Sequence, residues 1–317
     1  MSVKDSNVDR YRFTSDLLHP RFWPTWFGMG LFFIITLLPL AFIDWLGEKL
    51  GAYAARKSPK RFNIVKVNLS LCFPEKDEAE IERMVVEHFR GQFRSLMHYH
   101  ILWWRPAFMV RKRLQTRGFE QITEYQESGK NVIILLAHNV GLDAAVTSIS
   151  MDYHANGPFK SMPNAVVEWK MANGRLRFGK KFGSKLFTRE DGLRPLIKET
   201  RSGKVLIYLA DEDLGIENAV FTPFFGVQKA TIPVLGRLAK ACNAVVFPCV
   251  SCYDADSRRY NIELMKPIEG LTGRDDEADT LKMNQAIEQA ILYCPVQYLW
   301  TLRYFKTRPE GEPSLYG

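Results

Sequence analysis

The chain has 317 residues, 46% of them hydrophobic and 25% charged, with a formal net charge of +8. That is enough for one large domain, or one domain with a small attachment, and the composition excludes a disordered, collagenous or low-complexity protein. The positive charge suits nucleic acid, anionic lipid or an acidic carrier protein without choosing among them.

Residues Pro24 to Ile43 form a run of 20 without a charge, rich in Trp, Phe, Leu and Ile. A helix of that length spans about 30 Å, the thickness of a bilayer's hydrocarbon core. Trp23, Trp26 and Trp45 sit near its ends, where an aromatic belt lies. Arg10, Arg12 and Arg21 precede the run, and the larger group Lys49, Arg56, Lys57, Lys60, Arg61 and Lys66 follows it. By the positive-inside tendency this orientation leaves the main domain on the cytoplasmic side. The expected organisation is therefore a leading segment over 1–23, a membrane anchor helix over 24–46 and a single domain over 47–317. A helix lying in the interface competes with the spanning reading, because Pro39 kinks a continuous helix. A buried core helix and a cleaved signal peptide ending near Ala52-Tyr53-Ala54 are the remaining alternatives.

Glu75 to Trp104 reads as one or two amphipathic helices, with Met84, Phe89, Phe93 and Met97 at core-facing spacing. His98 and His100 diverge around such a helix and read as structural. From Gln115 onward helices and strands alternate. Helix is expected over 119–127, 142–152, 165–179, 192–201, 230–243 and 278–293, and strand over 132–137, 158–161, 185–188, 204–209, 244–253 and 260–265. This alternation predicts an α/β fold, a mixed and largely parallel sheet flanked by helices.

The five cysteines, Cys72, Cys242, Cys249, Cys252 and Cys294, are odd in number and scattered through apolar stretches, which predicts reduced thiols. Cys249 and Cys252 form a CxxC inside a strand-like run, where residues three apart face opposite ways, and no second pair stands at zinc spacing. No metal site is expected.

Four sets of residues can carry chemistry. His138 and Asp143 bracket Asn-Val-Gly-Leu directly after the apolar run ending at Ala137, with Gly141 loosening the backbone before a helix. The histidine thus leaves the carboxyl end of a buried strand, the edge where ligands of open α/β sheets collect. A carboxylate that orients an imidazole makes it a better general base. Arg175, Arg177 and Arg189 offer guanidinium forks for an anion or a polarised carbonyl. Asp211-Glu212-Asp213 ends a second buried strand and is read as holding those arginines in place. Phe221 to Pro233 reads as a shaped loop before a helix. No GxxxxGK[ST], GxGxxG or GxSxG pattern is present, and aromatic residues do not interleave with basic ones as in a nucleic-acid platform.

Several of these pieces together resemble a family. They are Asn68-Leu-Ser-Leu-Cys-Phe-Pro-Glu75, His138-x4-Asp143, Arg189-Glu-Asp-Gly192, Asp211-Glu-Asp213, Phe224-Phe-Gly226, Ala230-Thr-Ile-Pro233 and Gly236-Arg-Leu-Ala239. Tyr298-Leu-Trp300 and Lys306-Thr-Arg-Pro309 complete the set. The chain is similar to the late (secondary) acyltransferases of lipid A biosynthesis, most of all to their myristoyltransferase branch. Members commonly carry Asp-Gln-Asp where this chain has Asp211-Glu212-Asp213. The resemblance implies transfer of a fatty acyl chain from acyl carrier protein to the hydroxyl of a 3-hydroxyacyl chain on a lipid A precursor, completing its acylation, at the cytoplasmic face of the inner membrane. An earlier lauroyl-type step, or another glycolipid or glycerolipid acceptor, is the alternative. It implies His138 as base, Asp143 as the acid holding it and Arg175 as positioning or oxyanion residue, with Arg177, Arg189, Asp211 and Asp213 as further substrate-site residues. No cofactor is implied, because a thioester is already activated, and the partners are acyl carrier protein, the lipid A precursor and the membrane, not nucleic acid.

Overall fold

A computed structural model of the protein describes residues 10–316, so residues 1–9 of the expected leading segment lie outside the described residues. Five helices come first: α1 (Trp23–Ile35), α2 (Leu40–Lys57), α3 (Pro59–Cys72), α4 (Glu78–Trp104) and α5 (Ala107–Arg111). The chain continues through β1 (Leu114–Arg117), α6 (Glu120–Glu127), β2 (Asn131–Leu136), α7 (Leu142–Asp152), β3 (Ala155–Pro158) and α8 (Ala165–Leu176). Then follow β4 (Leu186–Phe187), α9 (Leu193–Arg201), β5 (Val205–Leu209), β6 (Val220–Phe224) and β7 (Val227–Thr231). The last elements are α10 (Leu235–Cys242), β8 (Ala244–Asp254), β9 (Arg259–Leu264) and α11 (Asp276–Leu292).

Seven strands form one sheet in the order β1-β9-β8-β2-β5-β3-β4, parallel throughout except between β8 and β9. The expected mixed, largely parallel α/β sheet is present. Alternate side chains of β2 enter two different cores. Ile133 and Leu135 join one with α3, α4, α10 and α11, while Val132, Ile134 and Leu136 join the other with α6 and α7. Both faces being covered explains why β2 reads as an unbroken apolar run.

The expected membrane anchor is not one helix. The apolar run breaks after Ile35, turns through Thr36 to Leu38, and resumes at Leu40 with Pro39 as the N-cap of α2. Proline has no N–H to continue a helix and forces the residue before it toward extended backbone. The 13 residues of α1 reach only about 20 Å. No helix among the described residues is long and apolar enough to cross a membrane. Helix α2 instead packs against α4 at van der Waals closeness. A Cβ on Gly47 would stand 2.6 Å from the Arg94 Cα, and one on Gly51 2.4 Å from the Phe89 carbonyl oxygen. Beneath them Asp44 accepts hydrogen bonds from His98 Nε2 (2.7 Å) and the Tyr253 hydroxyl (2.8 Å), tying α2 to α4 and β8. His98 thus has the structural role expected of it.

Two other expectations are corrected. Residues 220–231, read as loop running into helix, form an antiparallel hairpin. Its turn places Phe225 (φ 49°) and Gly226 (φ 76°) in the left-handed region, the geometry that matches strand twist in a two-residue turn. And the thiols are not all reduced: Cys252 at the end of β8 is bonded to Cys294 just past α11, while Cys72, Cys242 and Cys249 are free and buried. The bonded pair is 42 residues apart in sequence, so only the docking of α11 beside β8 brings it together.

Candidate active site

Strands β2 and β5 are parallel neighbours with Leu136 opposite Leu209. His138 and Asp211 each stand two residues past those paired ends, so register alone sets them face to face at the carboxyl edge. The Asp211 carboxylate is fully enclosed and accepts three hydrogen bonds. Oδ1 accepts from His138 Nδ1 at 2.6 Å, and Oδ2 accepts from the His138 backbone N–H at 2.7 Å and the Tyr298 hydroxyl at 2.9 Å. Nδ1 therefore carries the proton, and Nε2 is the nitrogen left to react. On that side Glu212 Oε1 lies 3.3 Å away.

This corrects the expected pairing: the acid that orients His138 is Asp211, and Asp143 does not hydrogen-bond the imidazole. Asp143 sits in the first turn of α7, where its carboxylate meets α8 and α4 instead. Arg175 grips it with two hydrogen bonds, Nε to Oδ1 at 2.7 Å and Nη2 to Oδ2 at 3.2 Å, and the Tyr99 hydroxyl donates to Oδ2 at 2.5 Å. The second guanidinium terminus, Nη1, has no hydrogen-bond partner among the described residues. Gly141, between His138 and Asp143, lies where a Cβ would come within 2.7 Å of the Ser251 carbonyl oxygen, so the loop closes against β8 only with glycine there.

The electrostatics follow from these contacts. Burial pulls His138 toward the neutral form, but the carboxylates of Asp211 and Glu212 outweigh it and the imidazole pKa is raised. Burial also opposes charge on Asp211 and Asp143. His138 restores it for Asp211, and Arg175 with Tyr99 for Asp143, so both carboxyls lie below the usual range. Behind them Lys229 is completely enclosed, and burial lowers it to about 8 against the pull of Asp211 and Asp213.

The remaining expected residues are not brought into this centre. Arg177 donates to the Leu102 and Arg105 carbonyls at 2.8 and 2.6 Å, capping the end of α4. Arg189 is exposed on a short turn, beside Asp191, which pairs with Arg10 at 2.7 Å. Asp213 accepts from the Thr307 N–H (2.7 Å), its hydroxyl (2.8 Å) and the Gly215 N–H (3.0 Å), which fastens the C-terminal segment. Thus the acids after β5 do not hold the arginines.

Sequence reasoning missed Tyr99 and Tyr298. Tyr298 is buried, stacks on Tyr304 at 4.7 Å, and lies in a segment that straps the loop carrying His138. Leu299 N–H donates to the His138 carbonyl and Val140 N–H to the Gln297 carbonyl, both at 2.8 Å. The quoted Tyr-Leu-Trp motif marks this strap; nothing in its local spacing tells which loop it covers.

Chemically, a buried carboxylate, a raised imidazole with one reacting nitrogen, and a guanidinium terminus nearby make a general-base centre with a site for developing negative charge. Residues 10–307 match the family model described as bacterial lipid A biosynthesis acyltransferase. The chain is 34% identical over 306 residues to the lipid A biosynthesis lauroyltransferase of Escherichia coli (strain K12), covering 96% of this chain and 98% of that one. It is 33% identical over 318 residues to the lipid A biosynthesis myristoyltransferase of the same organism, covering 100% and 97%. To the palmitoleoyltransferase the identity is 30% over 306 residues, covering 96% and 98%. Values so close together do not single out one branch.

Proposed function

Because the chain belongs to the bacterial lipid A biosynthesis acyltransferase family, and is therefore an acyltransferase, we propose that it moves a fatty acyl chain from an acyl carrier protein thioester to the hydroxyl of a 3-hydroxyacyl chain on a lipid A precursor. A myristoyl-type donor and the last acylation step are the finer reading, carried over from the motif resemblance. The observation behind the chemistry is the Asp211–His138 pair, with Nδ1 committed to the carboxylate and Nε2 outside that bond, beside Glu212.

In this reading His138 Nε2 takes the acceptor's hydroxyl proton as its oxygen attacks the thioester carbonyl. Asp211 stabilises the imidazolium that forms. Arg175, held by Asp143, presents Nη1 to the oxyanion of the tetrahedral intermediate. The C–S bond then breaks, and the imidazolium returns its proton to the leaving thiolate. Asp143 acts through Arg175 rather than through the imidazole.

We further propose that α1 and the start of α2 lie in the membrane interface. Trp23, Phe27, Leu31 and Ile34 recur at helical spacing on one side of α1 and are 64, 70, 51 and 55% exposed, and Leu37, Phe42 and Trp45 extend the patch. An exposed apolar face of that kind, followed by Lys49, Arg56 and Lys57, suits a helix resting at the level of anionic headgroups on the cytoplasmic side. Mass spectrometry of lipid A from cells with and without the gene tests the function. Loss of one acyl chain, restored by the wild type and not by His138→Ala, is expected. Unchanged lipid A overturns the assignment.

A further inference from the structure

The two carboxylates on the His138 imidazole differ in how they are held. Asp211 is enclosed and fixed by three donors. Glu212 is 35% exposed in its side chain, and its contact with Nε2 at 3.3 Å is its only ion pair or hydrogen bond among the described residues. Its neighbour Asp213 is fastened to Thr307, whereas Leu214 and Ile216 just beyond are 58 and 65% exposed. Glu212 is therefore held by a single polar contact among the described residues.

Nε2 presents one direction for a hydrogen bond. An acceptor hydroxyl that is to lose its proton there must come within hydrogen-bond distance of Nε2, beside Glu212 Oε1, which stands 3.3 Å from that nitrogen. We infer that Glu212 is a third functional acid of this site, which in the free enzyme stands against His138 Nε2 and moves aside when the acceptor hydroxyl enters. The inference rests on the acyl-transfer reading above.

With a carboxylate at each ring nitrogen the doubly protonated imidazole is favoured, and that form cannot act as a base. When Glu212 leaves, the proton on Nε2 departs with it to solvent. The acceptor hydroxyl then bonds to the bare nitrogen, its O–H bond breaks as the O–C bond to the acyl carbon forms, and the thiolate collects that proton. The charged groups around the ring are Asp211 past β5, Arg175 on α8 opposing protonation, Asp143 on α7, and Lys229 on β7 acting on Asp211, with the Tyr298 hydroxyl on the same carboxylate. Among the described residues, Glu212 is the one charged group within ion-pair distance of Nε2.

The test is Glu212→Gln in the full chain, which keeps the shape and removes the charge. Two measurements apply: the pH profile of kcat/KM, with an acyl carrier protein thioester and a lipid A precursor, and the NMR titration of the His138 imidazole without substrate, its signal assigned by loss in His138→Gln. Removal of a cationising neighbour lets the neutral base persist to lower pH. At pH 6, relative to pH 8, the variant's rate should exceed the wild type's by up to roughly threefold, the most that a half-unit displacement gives. The imidazole titration should move down as well, and KM should fall for the acceptor but not for the donor. An acid limb and imidazole titration that coincide with the wild type's overturn the inference, as does a loss of rate equal at every pH. If the wild type transfers no acyl chain, the acyl-transfer reading fails instead, and the NMR titration still decides whether Glu212 governs His138.

Discussion

Asp211→Asn replaces one oxygen by an NH2 group, and the structure shows why that small change should stop turnover. The carboxylate receives three donors, the His138 backbone N–H and the Tyr298 hydroxyl on Oδ2 and Nδ1–H on Oδ1. An asparagine has one oxygen to offer. If its oxygen faces Nδ1, the NH2 opposes a backbone N–H that cannot turn away, leaving a buried donor unpaired at about 1–3 kcal/mol. If its oxygen takes the Oδ2 position, two hydrogen bonds survive and the NH2 faces Nδ1. The second arrangement wins, and it forces the imidazole proton onto Nε2, the atom that must accept one. By analogy with a triad acid made neutral, kcat should fall about 10²–10⁴-fold, or about 2.7–5.4 kcal/mol of barrier. The assay is steady-state transfer from an acyl carrier thioester, with a melting curve as the check on folding and 15N NMR of the imidazole to read the tautomer. A kcat within threefold of the wild type, or a smaller loss than Asp143→Asn produces, would refute the assignment of Asp211 as the orienting acid.

Asp143→Ala leaves the Arg175 guanidinium enclosed without its partner, so the variant should lose about 3–5 kcal/mol of stability by urea unfolding as well as activity. His88 donates from Nδ1 to the Val296 carbonyl at 2.9 Å while its Nε2 is buried without a partner among the described residues, and burial lowers it to about 4. The unfolded chain takes up this proton near pH 6.5 and the native protein only near 4, so stability falls as pH drops through that window, by up to roughly 3 kcal/mol. His88→Asn, which keeps a donor for Val296, should flatten the dependence, and an unchanged slope would contradict it. Gly51→Ala drives a methyl into the Phe89 backbone and should cost about 1–3 kcal/mol, read as a lower melting temperature. Phe27→Asp with Leu31→Asp should abolish co-flotation with anionic phospholipid vesicles; retained binding would remove α1 from the membrane contact.

The sheet was legible because its central strands are covered on both faces and read as pure apolar runs, as β2 and β5 do. The edge strand β1, with the pattern Leu-Gln-Thr-Arg and three exposed residues, carries no such signal. His138 was legible from its place after β2. Its partner was not, because a nearby acid in sequence, Asp143, looks like the better candidate than one 73 residues away. What brings Asp211 to His138 is the β2–β5 register, a fact of tertiary pairing. The break at Pro39 is written in the chain, but the direction α2 takes after it is set by the close packing of Gly47 and Gly51 on α4, which local sequence does not carry.

The most direct test of the account uses purified enzyme, an acyl carrier protein thioester and a lipid A precursor of known structure, with the product mass followed in time. Wild-type enzyme should add one acyl mass to the precursor and release free carrier thiol in equal amount, while His138→Ala, folded as judged by melting, should do neither. Transfer at the wild-type rate by His138→Ala would contradict the central claim.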